Sequence, residues 1–179
     1  GRVAVSLDGI TLSRDLDISQ LDLPLGTTID IGVNNHSLTL NAEQANGVIL
    51  SGSGNVRIVG VAGAVTDDNL YLDDVSGGGL NVTLVVTDDA AMVDLTANTY
   101  VTSKIDAFEV GADTTLKLTS TQVSGKNVDP VSPNSAGALV VVLESGVDFD
   151  LSGIDAEAVE TTAVVSGATT LHASAYLGT

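Results

Sequence analysis

Carboxylates dominate the side chains of this sequence that could do chemistry. Asp67-Asp68, Asp73-Asp74 and Asp88-Asp89 are adjacent pairs, and Asp15/Asp17 and Asp148/Asp150 are spaced by two. On a strand, a spacing of two puts both carboxylates on one face. Adjacent Asp residues in a turn can converge on one ion. Calcium is a hard cation that takes about six to eight oxygens from carboxylates and carbonyls. It is therefore the cofactor this pattern could take, with Asp67, Asp68, Asp73, Asp74, Asp88 and Asp89 as candidate ligands. Asp is also an ordinary turn residue, so each pair has an equally simple role as a solvated turn. Gly77-Gly78-Gly79-Leu80-Asn81 falls short of the glycine-rich calcium repeat, and no EF-hand loop is present.

Other chemistry is poorly supplied. The histidines, His36 and His172, stand alone, whereas a zinc or catalytic site needs clustered ligands. Cysteine is absent, which removes disulfides and thiolate catalysis. Neither a Gly-x-Ser-x-Gly elbow nor a phosphate loop with its Lys occurs. Paired carboxylates for glycoside hydrolysis carry no information among 23 acidic residues. A solenoid polysaccharide lyase would need clustered basic residues. Here Arg2, Arg14, Arg57, Lys104, Lys117 and Lys126 are scattered. No catalytic residue is assigned, and the chain reads as a non-enzyme. Asn35-His36-Ser37 and Asn81-Val82-Thr83 match the glycosylation acceptor pattern, which has meaning only in a host that glycosylates surface proteins.

The charge balance narrows the partners. A formal net charge of -17 opposes binding to nucleic acid, which is held through Lys and Arg. It opposes an anionic membrane surface as well. No run approaches a membrane-spanning length; the longest apolar one is Ala138 to Leu143. Hydrophobic residues still make up 44% of the chain, too many for a disordered acidic tail. Residue 1 is Gly, so the sequence reads as a processed product or an excised segment.

The elements that must position these residues are short strands. Ser37–Leu40, Val48–Leu50, Asn55–Val59, Leu80–Val86 and Thr115–Thr119 alternate apolar with polar residues and are rich in β-branched types. Asn41–Asn46 followed by Gly47 predicts one helical turn or a tight corner. An internal repeat runs through them. Leu38-Thr39-Leu40, Gln44 and Gly47 return as Leu116-Lys117-Leu118, Gln122 and Gly125, at an offset of 78. Leu72, Val75 and Val85-Val86 return as Leu151, Ile154 and Val164-Val165, at an offset of 79. The motif Gly111 to Leu116 returns in shortened form as Gly167 to Leu171, and the stretch Asn127 to Ser135 reads as an insertion into the second copy.

These features predict a single all-β repeat domain over 1–179. Repeat 1 covers about 10–86, repeat 2 about 91–165, and a partial third motif 166–179. A β-solenoid, parallel β-helix-like, suits two degenerate repeats of about 78 residues. Coils stacked about 4.8 Å apart make interior ladders of small aliphatic residues, so aromatics are dispensable. The alternative, β-sandwich modules, usually centres its core on a few large aromatics, and here Trp is absent and Phe numbers 2. Coils of about 20 to 25 residues would give about seven to nine of them.

The stretch Ser37 to Gly60, with the phrase Asp150-Leu151-Ser152-Gly153-Ile154, resembles repeats in very large bacterial surface and extracellular proteins, such as repetitive adhesins and S-layer-like proteins. The resemblance implies an extracellular or cell-surface location and a structural role in a lattice, filament or adhesin stalk, often supported by calcium. The partner expected is itself or neighbouring repeats of a longer chain, associated head to tail. Two other roles stand beside this one. A binding module would recognise a glycan or host surface through the loop Gly125 to Gly137, and an enzyme would act on polysaccharide. An ice-binding face would need regular Thr-x-Thr ladders, and only Thr114-Thr115 and Thr119-Ser120-Thr121 hint at one.

Overall fold

In a computed structural model, the described residues are 10–32, 36–75, 79–87, 92–132, 137–145, 150, 152–154 and 159–165. They form a β-solenoid of about six turns. Every strand pairing among them is parallel. A parallel partner requires a long crossover, and in this fold the crossover is the remainder of each coil.

Three sheets make the sides. The first has six strands, stacked in the order β2 (Leu16–Asp17), β4 (Ser37–Asn41), β6 (Asn55–Val59), β7 (Asn81–Val86), β9 (Ala107–Val110) and β11 (Asn127–Pro130). The second has four: β8 (Met92–Asp94), β10 (Thr115–Thr119), β12 (Gly137–Leu143) and β13 (Val159–Val165). The third has three: β1 (Ile10–Thr11), β3 (Thr27–Asp30) and β5 (Val48–Ser51). Short helices α1 (Ala42–Ala45), α2 (Tyr100–Lys104) and α3 (Ser120–Val123) stand at one corner.

Alternation along the strands becomes ladders across them. In the six-stranded sheet, Leu40, Ile58, Leu84, Phe108 and Val128 stack in register, and all are fully buried. Ile18 lies below this column, its N–H bonded to Thr39 O, and Ile154 closes it above through a bridge to Val128. Six rises from Ile18 to Ile154 average about 23 residues per turn. That matches the coil length expected from sequence. The about six turns are fewer than the seven to nine anticipated from sequence for the whole chain. Each aliphatic rung contributes about 1.5–3 kcal/mol of burial. Among the described residues, Phe108 is the one aromatic ring whose side chain is fully buried.

The repeat has a structural meaning. Leu16, Leu38, Val56 and Val82 form a column in the six-stranded sheet, and Val93, Leu116, Leu139 and Thr161 form one in the four-stranded sheet. Corresponding members are 77, 78, 83 and 79 residues apart. A second set, Ile29, Leu50 and Val75, corresponds to Phe108, Val128 and Ile154 at offsets of 79, 78 and 79. One copy of the repeat therefore carries the chain about three turns up and one side around. The insertion is narrower than the stretch Asn127 to Ser135. β11 occupies its first part as a paired strand with Val128 fully buried, and the extra residues fall between Val128 and Leu139.

Tight backbone passage sets the corners. At Gly52 (φ 104) a Cβ would meet Asp30 Oδ1 at 2.7 Å and Gly32 N at 2.8 Å, so only glycine fits there. The helical turn expected after Asn41 is α1. Asn41 caps it, with Asn41 Oδ1 accepting from Gln44 N and Gln44 Oε1 accepting from Asn41 N.

Candidate functional site

Among the described residues, most of the acidic side chains singled out in sequence make turns or join coils. Asp67 accepts from both Thr99 N and Thr99 Oγ1 at 2.6 Å, which ties one coil to the next. Asp73 accepts from Tyr71 Oη at 3.0 Å, and this bond is the main cause that pushes the Tyr71 phenol up to about 12. The Asp68, Asp73 and Asp74 side chains are exposed. Asp88 and Asp89 lie outside the described residues, as do Asp148, His172 and Gly167–Leu171. Among the described residues, no three or more His, Asp or Glu side chains gather to hold an ion. Asp17 and Asp150 each accept from the N–H two residues on, Ser19 and Ser152, and these bonds hold both carboxyls below the usual range. Asp15 accepts from Ser37 N at 2.8 Å, with His36 Nδ1 3.9 Å away.

Four of the six basic residues work between turns. Arg57 on β6 reaches past β7 to Glu109 on β9. Lys117 meets Asp94 at 2.7 Å on the neighbouring strand. Burial pushes the Asp94 carboxyl up, but bonds from Lys117 and Thr96 outweigh it and the net shift is downward. Lys104 Nζ donates to Val75 O. Lys126 Nζ donates to Val101 O and Thr102 O in α2 and stands 5.8 Å from the centre of the Phe108 ring. Burial lowers its pKa to about 8, against the pull of Asp106.

Buried amides stitch the corner, a feature that sequence reading noted only as a recurring Gln. Gln44 Nε2 donates to Ile18 O and Leu21 O in the preceding turn, both at 2.6 Å. Asn98 Nδ2 donates to Thr66 O and Leu70 O. Gln122 Nε2 donates to Leu95 O and Asn98 O. In both copies the Gln also closes a capping box, with Asn41 in the first and Thr119 in the second. The signal in sequence was the capping-box spacing, Asn41-x-x-Gln44 and Thr119-x-x-Gln122.

With side chains occupied in this way, the end of the stack remains as the candidate site. β13 is the outer strand of the four-stranded sheet. Thr161 and Ala163 continue the inner columns of Leu139 and Val141, yet both are exposed. Their counterparts in the first copy, Val82 and Leu84, are 2% and 0% exposed because β9 lies above them. The chemistry available at β13 is strand addition: a row of backbone donors and acceptors over an uncovered aliphatic column. The loop Gly125 to Gly137, considered for ligand recognition, contains β11, so removing it would take out a rung of the core. Among the described residues no helix is long and apolar enough to cross a membrane. Compared with known proteins, the chain matches no protein-family model, no curated protein and no solved structure.

Proposed function

We propose that this chain is a structural, self-associating module of a bacterial extracellular or cell-surface assembly: a lattice, a filament or an adhesin stalk. One observation carries the reading: among the described residues β13 is the outer strand of its sheet, with Thr161 and Ala163 exposed at positions that are buried in the equivalent strand β7. A solenoid end in this state gains by receiving another coil. The role is mechanical and needs no catalytic residue. The resemblance of Ser37 to Gly60 to repeats of large surface proteins supports the setting.

The test is light scattering across protein concentration, on the parent and on Ala163→Lys. The Lys points into the open end, where a monomer tolerates it and an added coil does not. It also lowers the net negative charge, so weaker association cannot be ascribed to repulsion. Growth of the parent with concentration, lost in Ala163→Lys with unchanged circular dichroism, is the expected result. A parent that stays monomeric at every concentration and salt level would sink the reading.

A further inference from the structure

The internal repeat shows how one unit joins the next. Each copy supplies a stack of four strands and a stack of three rungs, placed on different sides of the prism. The first copy's four strands are β2, β4, β6 and β7; its three rungs are Ile29, Leu50 and Val75. The second copy's four strands are β8, β10, β12 and β13; its three rungs are Phe108, Val128 and Ile154. In the six-stranded sheet the second copy's rungs sit directly on the first copy's strands. That junction is β7 to β9, with Leu84 opposite Phe108, Val85 opposite Glu109 and Val86 opposite Val110.

At the other side the same halves of a junction are present without each other. β13 is the counterpart of β7 and bears no strand above it among the described residues. By the offsets above, β9 answers to β3 of the three-stranded sheet; β1 pairs beneath β3 as one more strand, with Ile10 opposite Ile29 and Thr11 opposite Asp30, and is the lowest described strand of that sheet. From this we infer that two copies of the chain join by pairing β13 of one, in parallel, with β1 of the next. The four-stranded and three-stranded sheets then fuse into one continuous parallel sheet. Register follows from the columns: Ala163 answers to Leu84 and Ile29 to Phe108, and Ile10 stands directly beneath Ile29, which sets Ala163 opposite Ile10 and Val164 opposite Thr11. Each added copy is turned, because its three-stranded side must stand over the four-stranded side of the copy below. Thr161 can be covered at no polar cost, since its hydroxyl already donates to Val159 O at 3.2 Å.

The inference rests on the self-association proposed above and adds its register. The chain has no cysteine, so single substitutions report contacts cleanly. Val164→Cys is mixed with Thr11→Cys under mild oxidation, and Val164→Cys with Met92→Cys serves as control. Met92 is 47% exposed and lies on β8, the strand of the four-stranded sheet farthest from β13. The expected result is a reducible covalent dimer from the first mixture, at least tenfold above the control. Hydrogen exchange on the unmodified chain is the second measurement, with backbone amides of 159–165 and of 10–11 both gaining protection on assembly. Growth by light scattering with equal cross-linking in both mixtures, or with protection at only one of the two strands, overturns the register and leaves self-association standing. No growth at all overturns both.

Discussion

The corner amides make a quantitative claim about what holds successive turns together. Gln122 is 3% exposed. Its Nε2 donates to Leu95 O at 2.7 Å and Asn98 O at 2.8 Å, and its Oε1 accepts from Thr119 N at 2.9 Å. Gln122→Met keeps the length and flexibility of the side chain, so little cavity forms. What remains is polar loss. Leu95 O keeps its bond from Asn98 N, whereas Asn98 O and Thr119 N lose the Gln122 partner. A buried unsatisfied group costs about 1–3 kcal/mol, so the expected loss is about 3 kcal/mol. With a urea slope of about 2 kcal/mol/M, the midpoint falls by about 1.5 M.

The chain has no Trp, so circular dichroism is the suitable probe. Gln44→Met should lose a similar amount, because Gln44 makes the equivalent bonds in the first copy. Gln122→Glu makes the loss depend on pH. A carboxylate facing two carbonyls is disfavoured, so its folded pKa is raised above the unfolded value of about 4.3. The folded-state benefit of the neutral acid is present below that value and lost as pH rises. The deficit relative to the parent should therefore be smaller at pH 4 than at pH 7. If Gln122→Met falls within about 0.5 kcal/mol of the parent, the range of an ordinary surface change, the amides are not what joins the turns.

Three further outcomes are expected. Phe108→Ala removes the largest rung of a fully buried column and should cost about 3–5 kcal/mol, read from the same urea midpoint. Lys126 has a folded pKa lowered to about 8, so between about 8 and the unfolded value near 10.4 the unfolded chain binds more protons and stability should rise with pH; Lys126→Met should abolish that rise. Growth of the assembly should increase with ionic strength, because a net charge of -17 opposes contact; at matched ionic strength sodium and calcium chloride should act alike, and a larger, chelator-reversible response to calcium would give the Asp pairs an ion to hold.

Period-two runs of Val, Leu, Ile and Thr made the strands legible, and an offset near 78 made the repeat legible. Leu38/Leu116, Val75/Ile154 and Val85/Val164 each proved to be equivalent positions in the coil. The change of side between copies was not legible, because a residue's offset in sequence says nothing about which face of a prism it reaches. That depends on where an extra strand enters each turn, and the backbone around 63–65 enters the second sheet only at the Ala64–Asp94 bridge. Helices α2 and α3 were missed for a related reason. Each is only 5 and 4 residues long, too short for a helical period to show. The candidate site was legible as an idea, an open end, but its location was not. Thr161 and Ala163 read as ordinary strand residues until the register set them over Leu139 and Val141.

The distribution of charge argues for growth along the axis rather than side by side. Arg57, Lys104, Lys117 and Lys126 are all engaged with neighbouring turns, while the chain as a whole carries a net charge of -17. Two copies approaching flank to flank meet like charge over a broad surface. At β13 the strand offers Thr161, Thr162, Ala163 and Val164 with only Glu160 charged between Val159 and Val165. There the backbone ladder can form before repulsion is felt over more than a screening length of about 8–10 Å. In the assembly proposed above, the net negative charge would keep parallel stacks apart, and the uncharged run of β13 would let each stack lengthen.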